Sequence, residues 1–374
     1  MKMKINKLVV SALICLSLVL GNVQTLVKAD DWYGEEEKYF TVYDQDDKEL
    51  FMIAWDVSKD DEYLSSDNKR YRIISVDQQN HTAKAKYIET VTLPDVDVSM
   101  IDNVEAVMAQ QGDDKKIAMY CTHSDESYIP SDGTSSKPEK GGIYDVAEAF
   151  KAGLEKRDVK VNLDETSHVP HDAGAYRRSR RTALQLMRET QPAAIFDIHR
   201  DAVPQAQYVT TVAGENAAKV RIVIGRRNPN RKANEALAYK IKALADKTYP
   251  GMVKDIYYGK GDYNQDLSPR SLLFEFGTYD HTKERAENSA KIFANVVSTA
   301  IFGGSVKSPE TGQTAKTKPA QKSDAGTGSG IIWWIVGIAV VGGIFLFVSS
   351  GSKEMFSKIK NNWTSFLGRN KKVK

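Results

Sequence analysis

Two histidines and two glutamates stand where metal-assisted hydrolysis would need them. His123 closes the apolar run Ile117 to Thr122, His199 closes Ala193 to Ile198, and Glu275 is embedded in Leu272-Leu273-Phe274-Glu275-Phe276-Gly277. Glu126 follows His123 by three residues, and a His-x-x-Glu pair on a turn after a strand lets an imidazole and a carboxylate converge on one ion. With the distant His199 this makes three N and O donors, the ligand set of a catalytic zinc that keeps one position open. The spacing alone is common; placement of both histidines at strand ends is what singles them out. Asp197, two residues before His199, leaves the strand on the same face and is placed to accept an N–H from a ligand histidine and fix its ring. Glu275 has no evident structural purpose among apolar neighbours, and burial raises a carboxyl towards the range of a proton shuttle. A hydrogen-bonded structural glutamate is the alternative. Arg200 would stabilise an oxyanion or bind a substrate carboxylate, provided the strand ends at His199, because adjacent strand residues point oppositely.

Other residues have plainer readings. His168 and His171, in Ser167-His168-Val169-Pro170-His171-Asp172, lie on a loop that would rim the cleft. Either could replace Glu126 as a ligand, although substrate contact or a turn is the ordinary role. Cys121 sits in an apolar strand, where a free thiol acts as a small hydrophobe. Arg177, Arg178, Arg180 and Arg181 make a solvated basic face, and Tyr128, Asn264 and Gln265 are candidates for the substrate rim.

The elements that must hold these groups alternate. Strands are expected at Ile117 to Thr122, Val159 to Leu163, Ala193 to His199, Val220 to Ile224 and Ser271 to Phe276. Helices are expected at Val146 to Leu154, Ala173 to Thr190, Asn230 to Lys247 and Lys283 to Ile301. This predicts an α/β domain over 115–302, a mainly parallel sheet flanked by helices, whose sites gather at the carboxyl ends of strands. Before it, over 38–92, short aromatic and β-branched runs between polar breaks predict a small antiparallel β domain. His81 there reads as a turn residue.

Both ends of the chain carry export and membrane signals. Lys2, Lys4 and Lys7 precede a short apolar run, so residues 1–29 read as a signal peptide. Residues 331–348 are uncharged and approach the length of a transmembrane helix, and the basic tail 349–374 would then be cytoplasmic. The expected location is the cell membrane, with the catalytic domain outside and 303–330, rich in Gly, Ser, Thr, Lys and Pro, as a flexible stalk. Of the 374 residues, 41% are hydrophobic and 27% charged, which suits globular material rather than a disordered chain. The net charge of +3 gathers near the C-terminus, which argues against nucleic acid as a partner. The two cysteines are Cys15, inside the signal, and Cys121, so the exported chain has no internal disulfide.

Several motifs together resemble the stage II sporulation protein P family: Thr122-His123-Ser124-Asp125-Glu126-Ser127-Tyr128, Gly142-Ile143-Tyr144-Asp145-Val146, Ala175-Tyr176 with Ser179-Arg180, Asp197-Ile198-His199-Arg200-Asp201, Asn264-Gln265-Asp266-Leu267-Ser268 and Leu273-Phe274-Glu275-Phe276-Gly277. They cover about 115–302 in order. The resemblance implies a zinc amidase/carboxypeptidase-like fold and N-acetylmuramoyl-L-alanine amidase activity on peptidoglycan in forespore engulfment, with endopeptidase activity also attributed to the family. It implies Zn2+ on His123 and His199 with Glu126 as third ligand, Glu275 as the catalytic carboxylate, and partners such as stage II sporulation proteins D and M. Two departures stand out: the family's His-Thr-His opening is Cys121-Thr122-His123 here, and the C-terminal span is an unusual addition.

Overall fold

The computed structural model describes residues 38–96, 115–172, 174–307, 312 and 314–319. The strands are β1 (Phe40–Tyr43), β2 (Glu49–Ile53), β3 (Glu62–Leu64), β4 (Lys69–Asp77), β5 (Thr82–Thr90), β6 (Lys116–Tyr120), β7 (Lys160–Leu163), β8 (Ala194–Asp201), β9 (Val209–Val212), β10 (Glu215–Ala218), β11 (Val220–Gly225), β12 (Val253–Gly259), β13 (Ser271–Thr278), β14 (Gly304–Lys307) and β15 (Thr314–Thr317). The helices are α1 (Ile129–Asp132), α2 (Ile143–Glu155), α3 (Ala175–Thr190), α4 (Arg231–Thr248) and α5 (Lys283–Phe302).

Eleven strands form one sheet in the order β2-β1-β5-β4-β3-β12-β11-β13-β8-β6-β7. This corrects the expected fold class. The N-terminal strands are not a β domain with a sheet of its own: β3 joins β12 antiparallel, with Tyr63 opposite Tyr257, and the sheet runs on without a break. Nor is the whole sheet mainly parallel. The run β13-β8-β6-β7 and the pair β11-β12 are parallel, as is β1-β5, but β11 enters antiparallel to β13, β3 joins β12 antiparallel, and β3, β4 and β5 pair antiparallel in turn. The seam strand β12 has no counterpart in the sequence reading, because Lys254-Asp255 interrupts its apolar character and looks solvent-facing. In the fold both residues are buried.

Strand β8 is the centre, with all eight residues buried, as a strand covered on both faces must be. One face carries Phe196 and Ile198 into a core shared with α2 and α5. There Phe196 meets Phe274 at 4.8 Å between ring centroids, and Phe150 stacks on Phe293 at 6.2 Å. The other face carries Asp197, His199 and Asp201 towards α3 and the N-terminal strands. On that face Arg221 of β11, 0% exposed, makes two bonds to Asp255 (2.7 and 3.0 Å), one to Asp201 (2.8 Å) and one to the Met52 carbonyl (3.0 Å). Tyr208 Oη donates to Asp201 as well, at 2.8 Å. Removing one partner of such a buried ion cluster costs about 3–5 kcal/mol, so the cluster ties β2 firmly to the strands beneath.

At 303–330, where the sequence predicts a stalk, the described residues begin with a hairpin of β14 and β15 whose Val306 and Ala315 are buried in the main core. The expected membrane arrangement is also corrected: among the described residues no helix is long and apolar enough to cross a membrane. The segment 331–348, the tail 349–374 and the signal 1–29 lie outside those residues.

The turn after β13 provides a pH probe of the fold. His281 is 2% exposed and neither ring nitrogen has a hydrogen-bond partner. Burial, helped by the charge of Arg285, pushes its pKa down to about 4 from the ordinary 6.5. The unfolded chain therefore binds the extra proton first, and stability is lost as pH falls from 6.5 towards 4. Urea unfolding at pH 7 and pH 4.5 should show the parent losing about 2–3 kcal/mol more than His281→Asn. Equal losses in the two proteins would refute this account.

Candidate metal centre

After β6 the chain turns sharply, and the Glu126 N–H closes the turn on the His123 carbonyl at 3.1 Å. The segment that follows folds back against Glu126: the Gly141 N–H bonds the Ser124 carbonyl, and the Ile143 N–H bonds the Glu126 carbonyl. A Cβ at Gly141 would stand 2.3 Å from the Glu126 carbonyl oxygen, so this close approach requires glycine. The turn brings His123 and Glu126 to His199 on β8. One ligand atom from each of the three lies within 4.8 Å of the others, and all three residues are buried. Nδ1 of His123 is 3.3 Å, and Nδ1 of His199 is 3.4 Å, from Oε1 of Glu126. His171 stacks on His123 at 4.1 Å between centroids, but its Nδ1 meets the Asp125 carboxylate at 3.1 and 3.2 Å. It stands beside the cluster as Asp125's partner, outside the set of three.

The surrounding groups orient the donors. Nε2 of His199 faces Asp197 Oδ1 at 3.0 Å, and Thr122 holds that carboxylate through its N–H (2.8 Å) and hydroxyl (2.6 Å). The remaining oxygen of Glu126 accepts the Arg200 N–H at 3.0 Å. Burial pushes His123 down to about 3, with the neighbouring His171 adding to the effect, which keeps the imidazole in its neutral, ligating form. For His199 burial acts in the same direction, but the charges of Asp197 and Glu126 outweigh it and carry its pKa well above the usual value. Burial raises Glu126, but the charge of His199, the contacts with the His123 and His199 rings and the charge of Arg200 together outweigh it, leaving the carboxyl well below its usual range. Two carboxylates thus create a position where one positive charge is favoured, as a proton or as a metal ion. Two imidazoles and a carboxylate at this spacing fit a divalent cation.

Glu275 is the register partner of His199 across β13 and β8, and of Arg221 across β13 and β11, so all three side chains share one face. Both its carboxylate oxygens are buried without a hydrogen-bond partner. Burial, then the charge of Asp201, raises its pKa well above the usual value, while His199 pulls it down more weakly. Arg221 offers it no hydrogen bond, being committed to Asp201 and Asp255.

The structure gives Arg200 a different place from the one expected. Strand β8 continues to Asp201, so Arg200 leaves on the face opposite His199 and bonds the carbonyls of Ser127 (3.1 Å) and Ser135 (2.7 Å). Tyr128 is fully buried with its hydroxyl on the Phe276 carbonyl, and His168 is fixed between the Cys121 carbonyl and Thr182. Cys121 is buried, and burial pushes its thiol up. Asn264 bonds the Tyr176 carbonyl and Ser179, while Gln265 bridges Val223 and Gly225. These residues brace the site rather than line it. Sequence reasoning missed Asp201, although its two-residue step from Asp197 and His199 along one strand marks it for the same face. It also missed Trp55, whose ring is 6.4 Å from that of His199; nothing in the local sequence signals that contact.

Comparison with known proteins adds an independent line. The family model for stage II sporulation protein P matches residues 29–298. The stage II sporulation protein P of Bacillus subtilis is 28% identical over 223 residues, 55% of this chain. The chain spans 56% of that relative's length. Among solved structures, the CwlD amidase of Clostridioides difficile, in complex with the GerS lipoprotein, is similar at TM-score 0.35 and 14% identity, covering 50% of this chain and 96% of its own. An N-acetylmuramyl-L-alanine amidase of Mycobacterium smegmatis is similar at TM-score 0.31 and 12% identity, covering 50% of this chain and 94% of its own.

Proposed function

The chain belongs to the stage II sporulation protein P family, and from that premise we propose that it is a peptidoglycan hydrolase of sporulation, a zinc-dependent N-acetylmuramoyl-L-alanine amidase. The observation that carries this reading is the meeting of three donors, His123, Glu126 and His199, within 4.8 Å, with Glu275 as the register partner of His199.

His123, Glu126 and His199 would hold Zn2+, which supplies Lewis acidity towards the scissile carbonyl. Asp197, held by Thr122, keeps the His199 ring in its ligating orientation, and the Arg200 N–H does the same for Glu126. Arg200's guanidinium acts on the loop that carries Glu126 and not on the substrate. Glu275 is the proton carrier. Its carboxylate takes a proton from the attacking water, and its carboxyl then gives that proton to the departing nitrogen of L-alanine. Burial, which favours the protonated form, supports the second half of this cycle.

Digestion of purified sacculi by the full chain tests the reading. Mass spectrometry should find free stem peptides and glycan strands stripped of peptide. Fragments still joined through muramic acid but cut between stems would indicate an endopeptidase instead. No release by metal-loaded protein would sink the hydrolase reading.

A further inference from the structure

The polar groups of the centre are closed off from solvent: His123 is 5%, Glu126 3%, and His199 and Glu275 each 0% exposed. Trp55, whose ring lies against His199, is partly exposed. It does not come from the α/β elements that carry the donors. It lies just beyond β2, and the N–H of its neighbour Ala54 is anchored on Asp201 Oδ1 at 3.1 Å, two residues from His199. The Trp55 ring meets Tyr263 edge-on at 5.0 Å, Tyr263 meets Tyr176 at 5.5 Å, and Tyr176 meets His123 at 5.6 Å. A continuous aromatic wall therefore runs from the partly exposed Trp55 down to the donor set.

The loop that presents Tyr263 is built at a cost. Tyr263 and Asn264 adopt left-handed backbone in succession, with φ of 50° and 56°, a conformation that side-chain-bearing residues keep only when their surroundings enforce it. Asn264 and Gln265 enforce it through their bonds to α3 and β11. Gly261 makes room, since a Cβ there would stand 2.5 Å from the Tyr263 ring. None of these devices touches His123, Glu126 or His199.

We propose that Trp55, backed by Tyr263, is a substrate-docking residue whose indole face stacks against the pyranose ring of an N-acetylated amino sugar beside the scissile amide. This rests on the amidase reading. A pyranose presents a flat face of C–H groups that matches an aromatic ring, whereas a stem peptide presents carboxylates that call for cations. No member of the wall is charged, and three guanidinium groups of the region are committed elsewhere: Arg178 to Asp172, Arg180 to Asp266, and Arg200 to two carbonyls. The N-terminal strands are in this view part of the substrate site.

Isothermal titration of the full chain, carrying Glu275→Gln to prevent turnover, tests the proposal. The probes are an N-acetylglucosamine tetrasaccharide, N-acetylmuramoyl-L-alanyl-D-isoglutamine and free L-alanyl-D-isoglutamine. Added Trp55→Ala should weaken both sugar-containing probes about tenfold, in line with the loss of one aromatic stacking contact, and leave the free dipeptide unchanged. Trp55→Phe should recover most of the affinity, and Trp55→Leu, which keeps apolar bulk without an aromatic face, should not. Retained affinity in the leucine variant, or equal losses for all three probes, overturns the proposal. So does faster sacculus digestion by Trp55→Ala alone, which would make Trp55 a cover over the site. If the Glu275→Gln protein binds no probe at all, the amidase reading falls and takes the proposal with it. Binding that Trp55→Ala leaves intact removes the proposal alone.

Discussion

Replacement of His199 by alanine is expected to lower zinc affinity by more than about 100-fold, because loss of an outer-shell partner alone costs 10–100-fold and His199 is a proposed ligand. The readout is metal retained per chain after dialysis against a graded series of chelator, with sacculus cleavage followed on the same samples. Asp197→Asn supplies the graded control. It leaves the three proposed ligands in place and weakens the contact that orients His199, 3.0 Å from Nε2 to Oδ1, together with the Thr122 bonds to that carboxylate, so it should fall within the outer-shell range. The fold must be checked separately, since the alanine variant leaves the buried Asp197 and Glu126 without the imidazole between them. A His199→Ala protein that keeps its circular dichroism and binds zinc as tightly as the parent would show that the three residues are not the ligand set.

Glu275→Gln separates chemistry from metal binding. The substitution keeps the shape of the side chain and removes its capacity to carry a proton, and kcat should fall about 100- to 10,000-fold, the usual worth of a positioned acid–base group. Metal content should be unchanged. Stability should be nearly unchanged too, because the carboxyl makes no hydrogen bond that the amide would forfeit. Unaltered turnover would remove Glu275 from the mechanism, and a parallel loss of metal would mean that it acts on the donor set instead.

The grouping of His123, Glu126 and His199 was legible because the clue to it is local. A histidine closing an apolar run needs no knowledge of which strands pair, and Glu126 is set by a turn of four residues. Arg200 was misread by an equally local margin: β8 continues two residues past His199, and one step along a strand sends a side chain to the opposite face. The seam at β12 was illegible for a different reason. Lys254 and Asp255 are paired with each other at 2.8 Å, and Asp255 takes Arg221 as well, so polar residues that look solvent-facing in sequence are interior in the fold. Trp55 was beyond reach altogether, as the segment that carries it is anchored beside His199 by bonds from Ala54 to Asp201 and from Arg221 to the Met52 carbonyl, each spanning well over a hundred residues of chain.

The joint between β3 and β12 also bears on how the molecule can be cut. A fragment beginning near residue 115 retains every proposed ligand and the proton carrier, and looks like a natural unit for expression. It would leave the unpaired backbone groups of β12 facing water as a raw sheet edge, the kind of surface on which chains stack and precipitate. It would also strip Phe51 and Tyr63 from beside Tyr257, leaving those aromatic surfaces bare. Insolubility of such a fragment would report a severed sheet and say nothing about its chemistry.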